Sequence, residues 1–342
     1  MSLISTAEAN LASSPLFEEI SLYETTIAPE GDPADIYYPT IATEANDLPI
    51  ALFLQGALVD KAEYSNFAQT VASYGFVVVV PNHIQSFPEL EITGLLPEVS
   101  QIDSVLTYLE SENSQPTSPL KGILDTDSLS LLGHSQGGAV GLSAIGNYCI
   151  PFLCNETEFT LPEEVVGGAF YGAFLQNFEG EFLPIDNQEI PLALVSGSRD
   201  GVSTPEEIQT SYELIQDPPN ALITIEGANH YGITDRDNLR DPIRPTLDAD
   251  LANETIARWT SLFLRANVLG DSDAAVLLNN TGFDDNVSIL SQNKSVPESS
   301  TNIGILAIGI IFLGLITKRI LHSWSQGTNE SKIHNRGRSY SA

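Results

Sequence analysis

Cysteine, methionine and basic side chains are all scarce in this chain. Its 342 residues hold two cysteines, one methionine, and 14 Lys plus Arg against 45 Asp plus Glu, for a formal net charge of −31. Two cysteines exclude a disulfide-built scaffold and a multi-cysteine zinc site. So acidic a surface repels phosphate backbones, which excludes a nucleic-acid partner. Histidine is limited to His83, His134, His230, His322 and His334, so imidazole chemistry must use one of these positions. Residues 1–20 form an N-terminal extension with no basic n-region and no apolar h-region, hence no visible signal peptide. Hydrophobic residues are not scarce. At 42% of the chain they fill a sizeable core and exclude wholesale disorder.

The charge is unevenly spread. Residues 318–342 hold five of the basic side chains and one acid, Glu330, which leaves −35 on residues 1–317. Before this switch, residues 299–317 are uncharged and include IGILAIGIIFLGLI. That length crosses most of a bilayer's hydrocarbon layer at about 1.5 Å per residue. The alternative, a buried core helix, would need a polar face or a neighbouring globular pattern, and neither is present. Residues 299–319 are therefore predicted as a transmembrane helix and 320–342 as a basic tail. Lys318 and Arg319 place the tail in the cytoplasm and the acidic body outside. Two alternatives accommodate the missing signal peptide: a start upstream of Met1, or a cytosolic body with a tail anchor. Val296-Pro297-Glu298-Ser299-Ser300, the glycine-spaced span and the basic pair together resemble the bacterial PEP-CTERM sorting tail. Ser299 stands where a second proline is usual, and the extension after the basic pair is long. The resemblance implies export.

In the body, strand and helix patterns alternate. Residues 50–55 (IALFLQ), 76–80 (FVVVV), 129–133 (LSLLG), 168–171, 192–197 (LALVSG) and 221–226 (ALITIE) read as short buried strands. They are near-continuous apolar runs, as strands covered on both faces require. Helical patterns occupy 64–74, 98–112, 136–148 and 248–268. Such alternation predicts an α/β domain over 21–270, with a mostly parallel central sheet, right-handed crossovers and helices on both faces. Residues 271–298, rich in Asp, Ser and Asn, read as a linker.

Chemistry is concentrated at Gly133-His134-Ser135-Gln136-Gly137-Gly138. A G-x-S-x-G sequence alone is a weak signal. Here it follows a buried strand and opens a helix, the setting of a nucleophile elbow. Gly133 and Gly137 are needed because the tight turn leaves no room for a Cβ. Ser135 takes a strained backbone with its hydroxyl exposed, at a helix N-terminus that favours developing negative charge.

A serine nucleophile needs a base, and the base needs an orienting acid. In a fold with this elbow they follow in the order Ser, acid, His. His230 alone follows Ser135 within the body; His134 lies inside the elbow and His83 before it, so neither fits that order and pocket lining is left open to both. Between Ser135 and His230 the candidate acids are Asp186, Asp200 and Asp217. Asp200 directly follows the strand at 192–197 and is preferred to Asp217, which precedes Pro218-Pro219, and to Asp186 in a polar loop. Two N–H donors must hold the oxyanion. They are assigned to Gln136, just after the nucleophile, and to Ala57 in the loop Gln55-Gly56-Ala57-Leu58, with Leu58 as the alternative.

These motifs resemble the α/β-hydrolase superfamily over residues 50–232. The carrying residues are Gln55-Gly56, Ala72 to Pro81 (ASYGFVVVVP), the elbow, Gly197 to Asp200 and Gly227 to His230. Within that superfamily the chain is similar to chlorophyllases and cutinase-like polyester hydrolases. Ala34-Asp35-Ile36-Tyr37-Tyr38-Pro39 and the GHSQGG elbow look closest to bacterial chlorophyllase-like proteins. The resemblance implies hydrolysis of chlorophyll's phytyl ester to chlorophyllide and phytol. Such enzymes often carry Arg where this chain has Gln136, which leaves the substrate open.

The expected enzyme is thus a serine carboxylic ester hydrolase that needs no metal or cofactor. Its partners are a small-molecule or lipid-like ester and, through 299–319, a membrane. A general carboxylesterase or lipase, a polyester hydrolase, a serine peptidase and a non-catalytic binding module are the alternatives. The acidic run Asp235-Arg236-Asp237-Asn238 reads as a solvated loop rather than a cation site. Cys149 and Cys154 flank a four-residue loop; in an exported body they pair as a disulfide, and otherwise they are small buried hydrophobes.

Overall fold

Continuous apolar runs build the centre of the sheet. Residues 48–54 (LPIALFL) are buried throughout, as are 77–81 (VVVVP), because helices cover both of their faces. Successive side chains point to opposite faces of a strand. Ile50, Leu52 and Leu54 therefore enter one core layer while Ala51 and Phe53 enter the other. Each Val, Leu or Ile buried in this way contributes roughly 2 kcal/mol.

The structure is a computed structural model that describes residues 14–40, 47–155, 159–279 and 284–293. In chain order the elements are β1 (Ile20–Ile27), β2 (Asp32–Pro39), β3 (Leu48–Leu54), α1 (Ser65–Ser73), β4 (Val77–Pro81), β5 (Ile84–Phe87), β6 (Ile92–Leu95), α2 (Ser100–Ser114), β7 (Leu124–His134) and α3 (Gln136–Ile145). There follow β8 (Val165–Tyr171), β9 (Leu192–Gly197), α4 (Pro205–Glu213), β10 (Asn220–Ile225), α5 (Ala249–Asn267), α6 (Ser272–Leu278) and β11 (Val287–Gln292). Nine strands share one sheet in the order β1-β2-β4-β3-β7-β8-β9-β10-β11. Every pair from β4 to β10 is parallel, and the antiparallel pairs lie at the two edges. One face is covered by α1 and α5 through Phe67, Val71, Trp259 and Phe263. The other is covered by α2, α3 and α4 through Ile102, Leu109, Val140, Leu142 and Ile208. The fold is α/β with a mostly parallel central sheet.

All six predicted strands are present. The structure adds the β1–β2 hairpin, a separate β5–β6 hairpin, β11 and α4. The linker reading of 271–298 needs correcting, since α6 and β11 fall within it. In α6, Ala274 and Leu277 are buried, and β11 adds Val287 to the same core. Both elements are short and apolar on one side only, so the polar residues dominate the composition. The predicted transmembrane helix at 299–319, the basic tail at 320–342 and residues 1–13 of the N-terminal extension lie outside the described residues. Among the described residues, no helix is long and apolar enough to cross a membrane.

Candidate active site

Parallel strands direct their C-terminal ends to one edge of the sheet, where open α/β sheets place their sites. Ser135 follows β7, Asp200 follows β9 and His230 follows β10. Asp186 and Asp217 precede β9 and β10, which puts them at the opposite edge.

Ser135 joins β7 directly to α3 with φ 52° and ψ −118°. This left-handed conformation at a non-glycine residue costs on the order of 1–3 kcal/mol and is held by its neighbours. The Ser135 N–H donates to the Tyr171 carbonyl at 2.9 Å, and its own carbonyl accepts from the Ala139 N–H at 3.0 Å. The glycines make the turn possible. A Cβ on Gly133 would lie 2.7 Å from the Gly137 backbone, and one on Gly137 would lie 2.1 Å from the Leu54 carbonyl oxygen. The end of β3 thus presses against the first turn of α3.

Asp200 and His230 are each 1% exposed, and His230 Nδ1 lies 2.8 Å from Asp200 Oδ2. A carboxylate oxygen only accepts, so in the neutral ring the proton sits on Nδ1 and Nε2 carries the free lone pair. Asp200 Oδ1 accepts from the N–H groups of Val202 (2.9 Å) and Ser203 (2.7 Å), so both carboxylate oxygens are engaged. His134, next to Ser135 in the elbow, has its ring centre 4.7 Å from that of His230.

In the loop after β3, Leu58 takes φ 59° and donates its N–H to the Leu95 carbonyl at 2.7 Å. Leu58 is therefore occupied as a donor. Among the described residues, the N–H groups of Ala57 and Gln136 have no acceptor. The Ala57 carbonyl accepts from Arg240 Nη1 at 3.0 Å, and the Arg240 guanidinium lies over the Tyr231 ring. Leu58, Val59, Tyr231, Thr234 and Arg240 line a cavity of about 350 Å³ beside this loop, together with Asp60, Glu63, Arg236, Asp237 and Asn238. Small-ligand sites fall in this range, about 300–1,000 Å³.

The other two body histidines are buried and differ in charge. Burial alone would lower the His83 pKa, but hydrogen bonds to Asp32 and Glu98 outweigh it and raise it to about 9. His83 Nδ1 lies 2.7 Å from Asp32 Oδ2 and Nε2 lies 3.4 Å from Glu98 Oε1. Its backbone grips the Gln55 side chain, which donates to the His83 carbonyl at 3.1 Å and accepts its N–H at 3.3 Å. His83 therefore braces the loop after β3. His134 is fully buried, and desolvation with the nearby His230 drives its pKa well below the ordinary value. It is a neutral ring. Among the described residues, no group of three or more His, Cys, Asp or Glu side chains could hold a metal ion.

Sequence reasoning missed three supports. Asp241, fully buried, accepts the His230 N–H at 2.8 Å through Oδ2 and the Ile243 N–H at 2.7 Å through Oδ1. Tyr171 donates its hydroxyl to the Asn229 carbonyl at 2.5 Å. Tyr64 donates or accepts at the His134 ring, as described below. None belongs to a local motif, although an aspartate eleven residues past the histidine, directly before Pro242, is a signal that could have drawn notice. Cys149 and Cys154 form a disulfide. The loop they close carries Phe152, whose ring packs on Phe87 of β5 at 4.9 Å.

Comparison with known proteins finds the chlorophyllase family model matching residues 20–149. A chlorophyllase type 0 from Chenopodium album is 31% identical over 99 residues, 28% of this chain and 28% of that protein. A chlorophyllase-1 from Arabidopsis thaliana is 30% identical over 109 residues, 32% of each. The chain spans about a third of the length of the curated relatives it matches. Over that stretch it is similar to a chlorophyllase-type hydrolase.

Proposed function

We propose that this chain is a serine hydrolase of the α/β-hydrolase type that cleaves carboxylic esters, with a chlorophyllase-like substrate as the first choice. The observation that carries the reading is the buried His230–Asp200 pair, 2.8 Å apart, beside a serine in a strained strand-to-helix turn. His230 Nε2 takes the Ser135 proton as the hydroxyl oxygen attacks the ester carbonyl carbon. The N–H groups of Gln136 and Ala57 stabilise the oxyanion that develops. Asp200 holds the imidazole tautomer and stabilises the imidazolium. The alcohol leaves with the proton from His230, and a water repeats the sequence on the acyl-enzyme. The similarity to chlorophyllases over 20–149 supports chlorophyll's phytyl ester as substrate. The apolar stretch at 299–319 would tether the enzyme where such an ester dissolves.

The test is hydrolysis of chlorophyll a and of p-nitrophenyl butyrate by the full chain in detergent, with Ser135→Ala alongside. Release of chlorophyllide, lowered about 10⁴-fold or more in the variant, is the expected result. Butyrate cleavage without chlorophyllide would make it a general carboxylesterase. Activity on neither ester from folded protein would refute ester hydrolysis.

A further inference from the structure

A buried hydrogen-bond chain joins the two halves of the site. The Gly56 N–H donates to Tyr64 Oη at 2.9 Å, Tyr64 Oη lies 3.0 Å from His134 Nδ1, and His134 Nε2 lies 2.9 Å from the His230 carbonyl oxygen. The direction of each proton follows from the ends. A carbonyl only accepts, so Nε2 of His134 carries the hydrogen. In a neutral ring Nδ1 is then an acceptor, and it takes the Tyr64 hydroxyl proton. The Tyr64 oxygen is left to accept from Gly56. A neutral His134 thus satisfies every group in the chain. Tyr64 and His134 are both 0% exposed, so any of these groups left without its partner would stay unpaired.

The chain ends at the two places where geometry matters most. Gly56 carries the carbonyl of the peptide group whose N–H belongs to Ala57, and that carbonyl accepts from the Val59 N–H at 3.1 Å. With its own N–H on Tyr64, Gly56 is pinned on both sides, which fixes the plane of the Ala57 donor. At the other end, the His230 backbone is gripped through its carbonyl by His134 and through its N–H by Asp241 at 2.8 Å. We propose that His134 is a positioning residue that, through Tyr64, locks the Ala57 oxyanion donor to the His230 backbone, so that the oxyanion hole and the base are held as one unit. This rests on the ester-hydrolase reading above.

The experiment compares the full-length wild type with Tyr64→Phe, His134→Phe and the double variant on p-nitrophenyl butyrate. Removing an oxyanion donor outright costs about 10²–10³ in kcat. A loosened donor should cost about 10- to 100-fold, with KM within about twofold. Because one chain is broken in each case, the double variant should lose no more than the worse single variant. Losses that multiply, or a Tyr64→Phe enzyme with wild-type kcat, would overturn the proposal. A measurement on the unaltered protein guards against variants that fail to fold. ¹⁵N-histidine spectra should show His134 as a neutral ring protonated on Nε2 from pH 5 to 8. An Nδ1–H ring, or one that titrates in that range, would overturn it equally. If wild type shows no Ser135-dependent turnover, the function itself falls and the inference with it. Turnover that survives Tyr64→Phe unchanged rejects the inference alone.

Discussion

Adding one methyl group at Gly137 tests whether the end of β3 supplies an oxyanion donor. In Gly137→Ala the new Cβ would sit 2.1 Å from the Leu54 carbonyl oxygen and 2.5 Å from that of Gln55. Ordinary contact begins at 3.4 Å, so α3 and the end of β3 must separate by about 1 Å. Both clashing atoms are backbone, so no side-chain rotation relieves them. Ala57 lies two residues beyond Gln55 and moves with it. A misplacement of about 1 Å costs on the order of 10²-fold in rate, and the overpacking costs about 1–3 kcal/mol of stability. Gly141→Ala is the matched control in the same helix. Its Cβ would lie 2.2 Å from Cε1 of Phe170, a core side chain rather than the backbone at the end of β3. Alanine's helix preference, about 1 kcal/mol over glycine, applies to both variants and cancels between them. Both should melt below wild type. At 25 °C, kcat/KM for p-nitrophenyl butyrate should fall about 10²-fold further in Gly137→Ala than in Gly141→Ala. Folded Gly137→Ala protein within about fivefold of the control would refute the role given to this loop.

Asp200→Asn keeps the shape of the acid but favours the His230 tautomer with its proton on Nε2, facing the serine. Its kcat should drop by about 10⁴ with little change in Tm, and an active variant would remove Asp200 from the triad. His83 carries a pH-dependent part of the stability. Its pKa in the folded chain is about 9, above the ordinary 6.5, so the contribution is complete below pH 6.5 and lost as pH rises through 9. At about 1.36 kcal/mol per unit, it amounts to about 3 kcal/mol. The difference in urea midpoint between wild type and His83→Gln should be wide at pH 6 and narrow at pH 10; a gap that widens with pH would contradict a charged His83. Reducing the Cys149–Cys154 bond opens a loop of six residues, worth about 2 kcal/mol by chain entropy. The Cys149→Ser/Cys154→Ser variant should therefore melt a few degrees lower, and an unchanged Tm would show that the bond does not form.

The sequence displayed the centre of this fold and concealed its margins for one physical reason. The strands between β4 and β10 are covered on both faces, so the buried part of each reads as a near-continuous apolar run. The edge hairpin β1 (ISLYETTI) alternates exposed and half-buried positions, and its Glu and Thr residues hide it among loops. Helix α4 starts at a capping box formed by Thr204 and Glu207, a legible signal beside which the nine-residue apolar stripe is weak. The triad candidates were legible because each follows a recognisable strand. Tyr64 and Asp241 were not, since their roles arise from contacts across 70 and 11 residues of chain that no local spacing records.

The similarity and the proposed triad draw on largely separate parts of the chain. The chlorophyllase match ends at residue 149. It includes Ala57, Tyr64, His134, Ser135 and Gln136, but neither Asp200 nor His230. Of the residues proposed for catalysis, the matched part holds the nucleophile and both oxyanion donors but neither the base nor its acid. From strands outside the match come Asp200 and His230, which pair with each other, and the His230 carbonyl contacts His134 of the elbow. Burying Asp200 is costly unless its oxygens are paired, and its partners here are His230 and two backbone N–H groups. These contacts fix one orientation of the imidazole, as the proposed proton transfer to and from Ser135 would require.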